Sequence, residues 1–180
     1  MYKNEFEDSV ERTKRIGLEG ITCIYQDNLI IPQDNAKLLS DVFTSIIGCM
    51  ESRDLIAKCI SVHHQLLKPL NSTLNTKAIY TIGYIETNGK NIYKKSEEEL
   101  ISIMNTDIRN CSVLNIHAWI TLPSMEILDF TIATTMAFVK NMPNINGAIF
   151  HGHADKFDDT FKYHPMLVGD GFLRKMGLIH

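Results

Sequence analysis

The sequence predicts an α+β fold, a mostly antiparallel sheet packed against helices. Three observations predict it. Helical stretches precede several strands instead of alternating strictly with them, which is the α+β pattern rather than the doubly wound one. Two turns, Thr87-Asn88-Gly89-Lys90 and Pro123-Ser124, separate extended segments and read as hairpins. The composition is globular: 44% hydrophobic and 22% charged residues exclude a disordered chain and a coiled coil. The 180 residues suffice for a single domain, 1–180, and no repeat, low-complexity tract or linker divides it.

Asn4 to Ile16 reads as a surface helix with Phe6, Val10, Thr13 and Ile16 inward, ended by Gly17 and Gly20. Ile21 to Ile31 is rich in β-branched and aromatic residues and reads as extended, stopped by Pro32. Asp34 or Asn35 caps a helix to about Met50, with Leu38, Leu39, Val42, Phe43, Ile46 and Ile47 as its apolar stripe. A third helix lies within Ser52 to Leu70, its start left open between Leu55 and Cys59 and its end set by Pro69 and Asn71-Ser72-Thr73. Lys77 to Glu86 reads as a strand, and Asn91 to Tyr93 as its short return across the Asn-Gly turn. Ser96 and Glu99 form a capping box that opens a helix to about Arg109.

Ser112 to Leu122 reads as a strand, and Met125 to Thr131 comes back beside it. Thr134 to Asn141 reads as helix, stopped before Pro143, and Gly147 to His151 as strand. Asp155 to Tyr163 reads as a polar connection, Met166 to Val168 as extended, and Gly171 to Met176 as a short closing helix.

Lys and Arg number 18 against 21 Asp and Glu, for a net charge of −3 and a pI near 6.1. That balance gives no electrostatic support for nucleic-acid or membrane partners. Met1 to Arg15 is charged throughout, unlike a signal peptide, so the expected location is cytoplasmic. Cys23, Cys49, Cys59 and Cys111 are widely spaced with no C-x-x-C pair, which argues against a disulfide framework or a four-cysteine zinc site. Cys23, Cys49 and Cys111 read as core thiols.

Cys59 differs, because two further segments follow it in a chemically useful order. His117 lies 58 residues later in Asn115-Ile116-His117-Ala118-Trp119-Ile120, and Asp129 a further 12 later in Ile127-Leu128-Asp129-Phe130-Thr131. A thiol attacks as thiolate, and a helix N-terminus or an adjacent imidazolium favours that form. A carboxylate behind the imidazole sets its tautomer and orientation.

The hairpin supplies a geometric condition. If Pro123 to Met125 is a three-residue loop, Leu122 lies opposite Glu126, Trp119 opposite Asp129 and His117 opposite Thr131. His117 and Asp129 then share a face as diagonal neighbours, about 7–8 Å apart. A loop of even length puts them on opposite faces.

These segments resemble the core of the transglutaminase-like (papain-like cysteine protease) superfamily. The likeness is carried by Cys59 on a helix, the Gly step Thr81-Ile82-Gly83-Tyr84-Ile85, the His117-Ala118-Trp119 strand, and Asp129-Phe130-Thr131 with Phe130 where the family has Pro. It spans about 52–132 and implies a transglutaminase-like core, with N- and C-terminal extensions outside it. It implies a Cys59–His117–Asp129 triad forming a thioester, as in a protease, peptide amidase or deamidase. Trp119, Gly83 and Tyr84 would be the substrate-binding positions, a peptide or protein the substrate, and no cofactor or metal would be needed. Two other readings remain at this point: an inactive relative that binds a peptide or protein in the same groove, and a metal-dependent hydrolase built on His151 and His153 with Asp155 and His164. His63-His64, adjacent on a helix, point in different directions and make poor joint metal ligands.

Overall fold

The structure is a computed structural model that describes residues 1–31, 35–48, 52–106 and 114–179. Cys49, Cys111, Pro32, residues 107–109 at the end of the helix expected from Ser96, and residues 112–113 of the expected strand lie outside the described residues. The secondary structure is α+β, and every strand pairing within the units below is antiparallel. The chain divides into two compact units, each assembled from separated segments.

The first unit comprises Met1–Cys23, Thr81–His117 and Phe157–His180. Helix α1 (Tyr2–Arg15) buries Tyr2, Phe6, Ser9, Val10 and Thr13, the inward face its 3–4 spacing prescribes. Gly17, at φ +81, ends it. Strand β1 (Ile79–Thr87) pairs with the short β2 (Lys90–Ile92) across Asn88-Gly89, both with positive φ as a two-residue hairpin turn requires. On its other edge β1 pairs with β6 (Phe161–Val168). That strand takes in Phe161–Tyr163, the last three residues of what reads as a polar connection from sequence, where Phe161 and Tyr163 join Phe157 in an aromatic cluster.

The α1 side chains satisfy backbone groups of β6: Arg12 donates to the Met166 carbonyl at 3.1 Å, and the Val168 amide donates to Thr13 Oγ1 at 3.0 Å. Helix α4 (Glu97–Met104) starts with the expected capping box, and α6 (Gly171–Lys175) closes the unit.

The second unit comprises Ile24–Tyr80 and Ala118–Lys156. Helices α2 (Ala36–Ile47) and α3 (Cys59–Leu74) pack on each other, and β3 (His117–Thr121), β4 (Glu126–Asp129) and β5 (Phe150–His153) form successive antiparallel pairs. Leu39, Val42, Val62, Leu66, Ile120 and Leu128 belong to its core. Helix α5 (Ile132–Val139) follows β4 and starts two residues earlier than its apolar pattern suggests.

Three local expectations are corrected. Ile21–Ile31 is not a strand, and Ile24 and Leu29 are 69% and 51% exposed. Its amides are used elsewhere: Gln26 donates to the Pro123 carbonyl, and Ile30 and Ile31 donate to the buried Glu126 carboxylate. Helix α3 does not stop at Pro69 but runs to Leu74, where Asn75 adopts the left-handed cap conformation and Asn71 Oδ1 accepts the Ala78 amide. Cys23 is half-buried rather than a core thiol, and that burial pushes its thiol up from the ordinary value.

Candidate active site

The start of α3 decides where Cys59 stands. A 3-10 turn covers Ser52–Leu55, and the chain then reverses at Ala57, a non-glycine residue at φ +59. Lys58 is the N-cap and Cys59 the first helical residue, with Val62 N–H already bonded to the Lys58 carbonyl at 2.9 Å. The apolar pattern alone allowed the helix to reach back to Leu55. The Ala57 conformation stops it, so Cys59 meets the positive end of the helix dipole. Cys59 is buried, with 8% of its surface exposed.

The hairpin has the loop length the triad requires. Leu122 N–H donates to the Glu126 carbonyl at 2.9 Å and Met125 N–H to the Leu122 carbonyl at 2.8 Å. Met125 takes φ +61, the left-handed residue that ends a three-residue hairpin loop. The pairs Ile120–Leu128 and Thr121–Ile127 continue the same register. Alternation from these pairs sets Trp119, Thr121, Ile127 and Asp129 on one face, with Ile120 and Leu128 on the core face.

Asp129, fully buried, accepts through Oδ1 from the Thr131 amide (3.0 Å), the Thr131 hydroxyl (3.2 Å) and the Ile132 amide (3.0 Å), so it also organises the first turn of α5. His117 opens β3, is 3% exposed, and stacks on Tyr93 with ring centroids 5.8 Å apart. Trp119 is fully buried and its indole donates to Thr121 Oγ1 at 3.1 Å. Cys59 and Asp129 belong to the second unit, and His117 is the last residue of a segment of the first.

Of the other singled-out positions, Gly83 lies opposite Pro165 at a register shift between Ile82 and Gly83. Proline has no N–H to offer the ladder, which is where a bulge forms readily. Tyr84 lines a cleft of about 530 Å³ in the first unit, together with Glu5, Asp8, Arg12, Arg15 and Lys94. Its ring stacks on His164 at 4.6 Å and lies 5.0 Å below the Lys94 ammonium.

His164 is bonded to Glu5 at 2.7 Å in that first unit, while His151 and His153 sit opposite Leu128 and Glu126 on β5 of the second. Among the described residues, no three of His, Cys, Asp and Glu are grouped to hold a metal ion. No helix of the described residues is long and apolar enough to cross a membrane.

His63, which from sequence reads only as a poor metal ligand, stands in a different setting. It is fully buried beside Cys59 and Asp129: its Nδ1 is 2.7 Å from the Cys59 carbonyl, its Nε2 accepts the Phe130 amide at 3.0 Å, and Asp129 Oδ1 is 3.5 Å from Nε2. The signal was present. His63 follows Cys59 by four residues on the apolar stripe Cys59, Val62, His63, Leu66, Leu70.

No family model matches the chain, and no curated protein matches it. A solved structure described as the crystal structure of genomics APC5867 aligns over 79% of this chain and 69% of its own, with 14% identity and a TM-score of 0.45.

Proposed function

We propose that the chain is a cysteine-dependent acyl-transfer enzyme of the transglutaminase-like kind, acting on amides of a peptide or protein. The observation that carries the reading is the position of Cys59 as the first residue of α3. A helix N-terminus favours the thiolate and a negative charge developing on an oxygen beside it.

In this reading the Cys59 sulfur attacks the amide carbonyl and its proton passes to His117. The C–N bond breaks as His117 returns that proton to the leaving amine, and a thioester remains. Water or an acceptor amine then attacks the thioester, with His117 again taking and returning the proton. Asp129 orients the imidazole. Of the expected substrate-binding positions, Trp119 serves packing and Gly83 the bulge.

Competitive alkylation tests it. Cys59 should react with iodoacetamide at neutral pH at least about tenfold faster than Cys23, whose thiol burial holds protonated. Equal, slow labelling of the two removes the proposal. The low exposure of Cys59 and His117 favours a second reading, an inactive relative that binds a peptide or protein. Under it, Cys59→Ala keeps full biological activity; under the enzymatic reading it abolishes it.

A further inference from the structure

We propose that His63 is a positioning residue of the thiol site: a neutral imidazole, protonated at Nδ1, that ties the helical turn carrying Cys59 to the strand end carrying Asp129. The proposal rests on the reading of Cys59 as nucleophile. A carbonyl oxygen only accepts, so the 2.7 Å contact with the Cys59 carbonyl places the ring proton on Nδ1. An amide N–H only donates, so the 3.0 Å contact with Phe130 requires a bare Nε2. The two together select one tautomer and one charge state.

What the ring touches gives it its role. One hydrogen bond ends on the backbone of Cys59 itself. The other ends on the amide that is peptide-bonded to Asp129. The ring thus spans the backbones of two proposed triad members and sets their separation.

It is itself held by packing: its centroid is 5.9 Å from the Phe130 ring, which stacks at 5.6 Å on Phe43 of α2. With both nitrogens engaged, His63 is not the base that takes the thiol proton, although it is the imidazole nearest to Cys59 in sequence. Asp129 Oδ1, at 3.5 Å, is beyond hydrogen-bond range of Nε2 and already accepts from three donors.

The test uses the full chain with His63→Leu and His63→Gln. Leucine removes both hydrogen bonds. Glutamine supplies an N–H for the Cys59 carbonyl and an oxygen for the Phe130 amide. The expected result is a roughly 10- to 100-fold fall in the Cys59 alkylation rate for His63→Leu, from displacement of the thiol. The midpoint of its pH profile stays in place, and His63→Gln recovers most of the rate. Nitrogen NMR of the wild-type ring should show a protonated Nδ1 and a bare Nε2.

An unchanged rate in His63→Leu overturns the proposal. So does a pH midpoint that moves in both variants, since the ring would then be the ionic partner of the thiol. So does a ring found protonated at Nε2. If His63→Leu fails to fold, His63→Gln and the wild-type ring spectrum still decide. A wild-type Cys59 no faster than Cys23 instead sinks the nucleophile reading, visibly and before any His63 variant is made.

Discussion

Glu126 shows how one buried carboxylate organises the second unit, and Glu126→Ala is the perturbation to make. The residue is 1% exposed and opens β4. Its carboxylate accepts from the Ile30 amide at 2.6 Å, the Ile31 amide at 3.2 Å and the Ser124 hydroxyl. It therefore fastens the irregular segment before residue 32 to the Pro123–Met125 loop. Alanine leaves those three donors without their acceptor.

Ile30 is half-buried and can turn to water, so two orphaned donors dominate. At about 1–3 kcal/mol for each buried unsatisfied group, the expected loss is about 2–6 kcal/mol. That is a large share of a typical unfolding free energy of about 5–15 kcal/mol. Glu126→Gln keeps one accepting oxygen but turns an N–H towards a donor, and should lose about 1.5–3 kcal/mol. Urea unfolding followed by fluorescence and circular dichroism reads both values. A loss below about 1 kcal/mol for alanine would mean that solvent reaches these amides freely and that Glu126 does not stand in for a strand ladder at Ile30–Ile31.

Two further predictions concern the first unit. Ser96→Ala removes the hydroxyl that accepts the Glu99 amide in the capping box of α4, and should cost about 1 kcal/mol in urea unfolding; no change would mean that the helix start is held by Glu99 alone. The Glu97 carboxyl is held below its ordinary range by its hydrogen bond and charge pairing with Arg15. Its folded value being depressed, the pairing contributes above the unfolded carboxylate range and is lost as pH falls through the folded value. In Arg15→Gln, the Glu97 midpoint followed by carbon NMR should rise; an unmoved midpoint would assign the shift to something other than Arg15.

The hairpins were legible for a local reason. Asn88-Gly89 is one of few dipeptides that take positive φ twice, and the register of Ile120–Thr121 against Ile127–Leu128 follows once the loop at Pro123 has three residues. The capping box and the inward face of α1 were equally local, because both depend on residues three or four apart. The segment Ile21–Ile31 misled because β-branched residues state a preference for extended backbone without naming a partner. Its partner proved to be a side chain, Glu126, nearly a hundred residues on.

Within the candidate site, the order Cys59, His117, Asp129 came from the sequence by itself, as did the face on which Asp129 must stand. The N-terminal position of Cys59 did not. The apolar stripe of α3 is compatible with a helix beginning at Leu55, and only the backbone reversal at Ala57 fixes the start. The role of His63 is also tertiary. Its spacing from Cys59 was visible, but what an imidazole does depends on which groups meet its two nitrogens, and one of those, the Phe130 amide, lies 67 residues away along the chain.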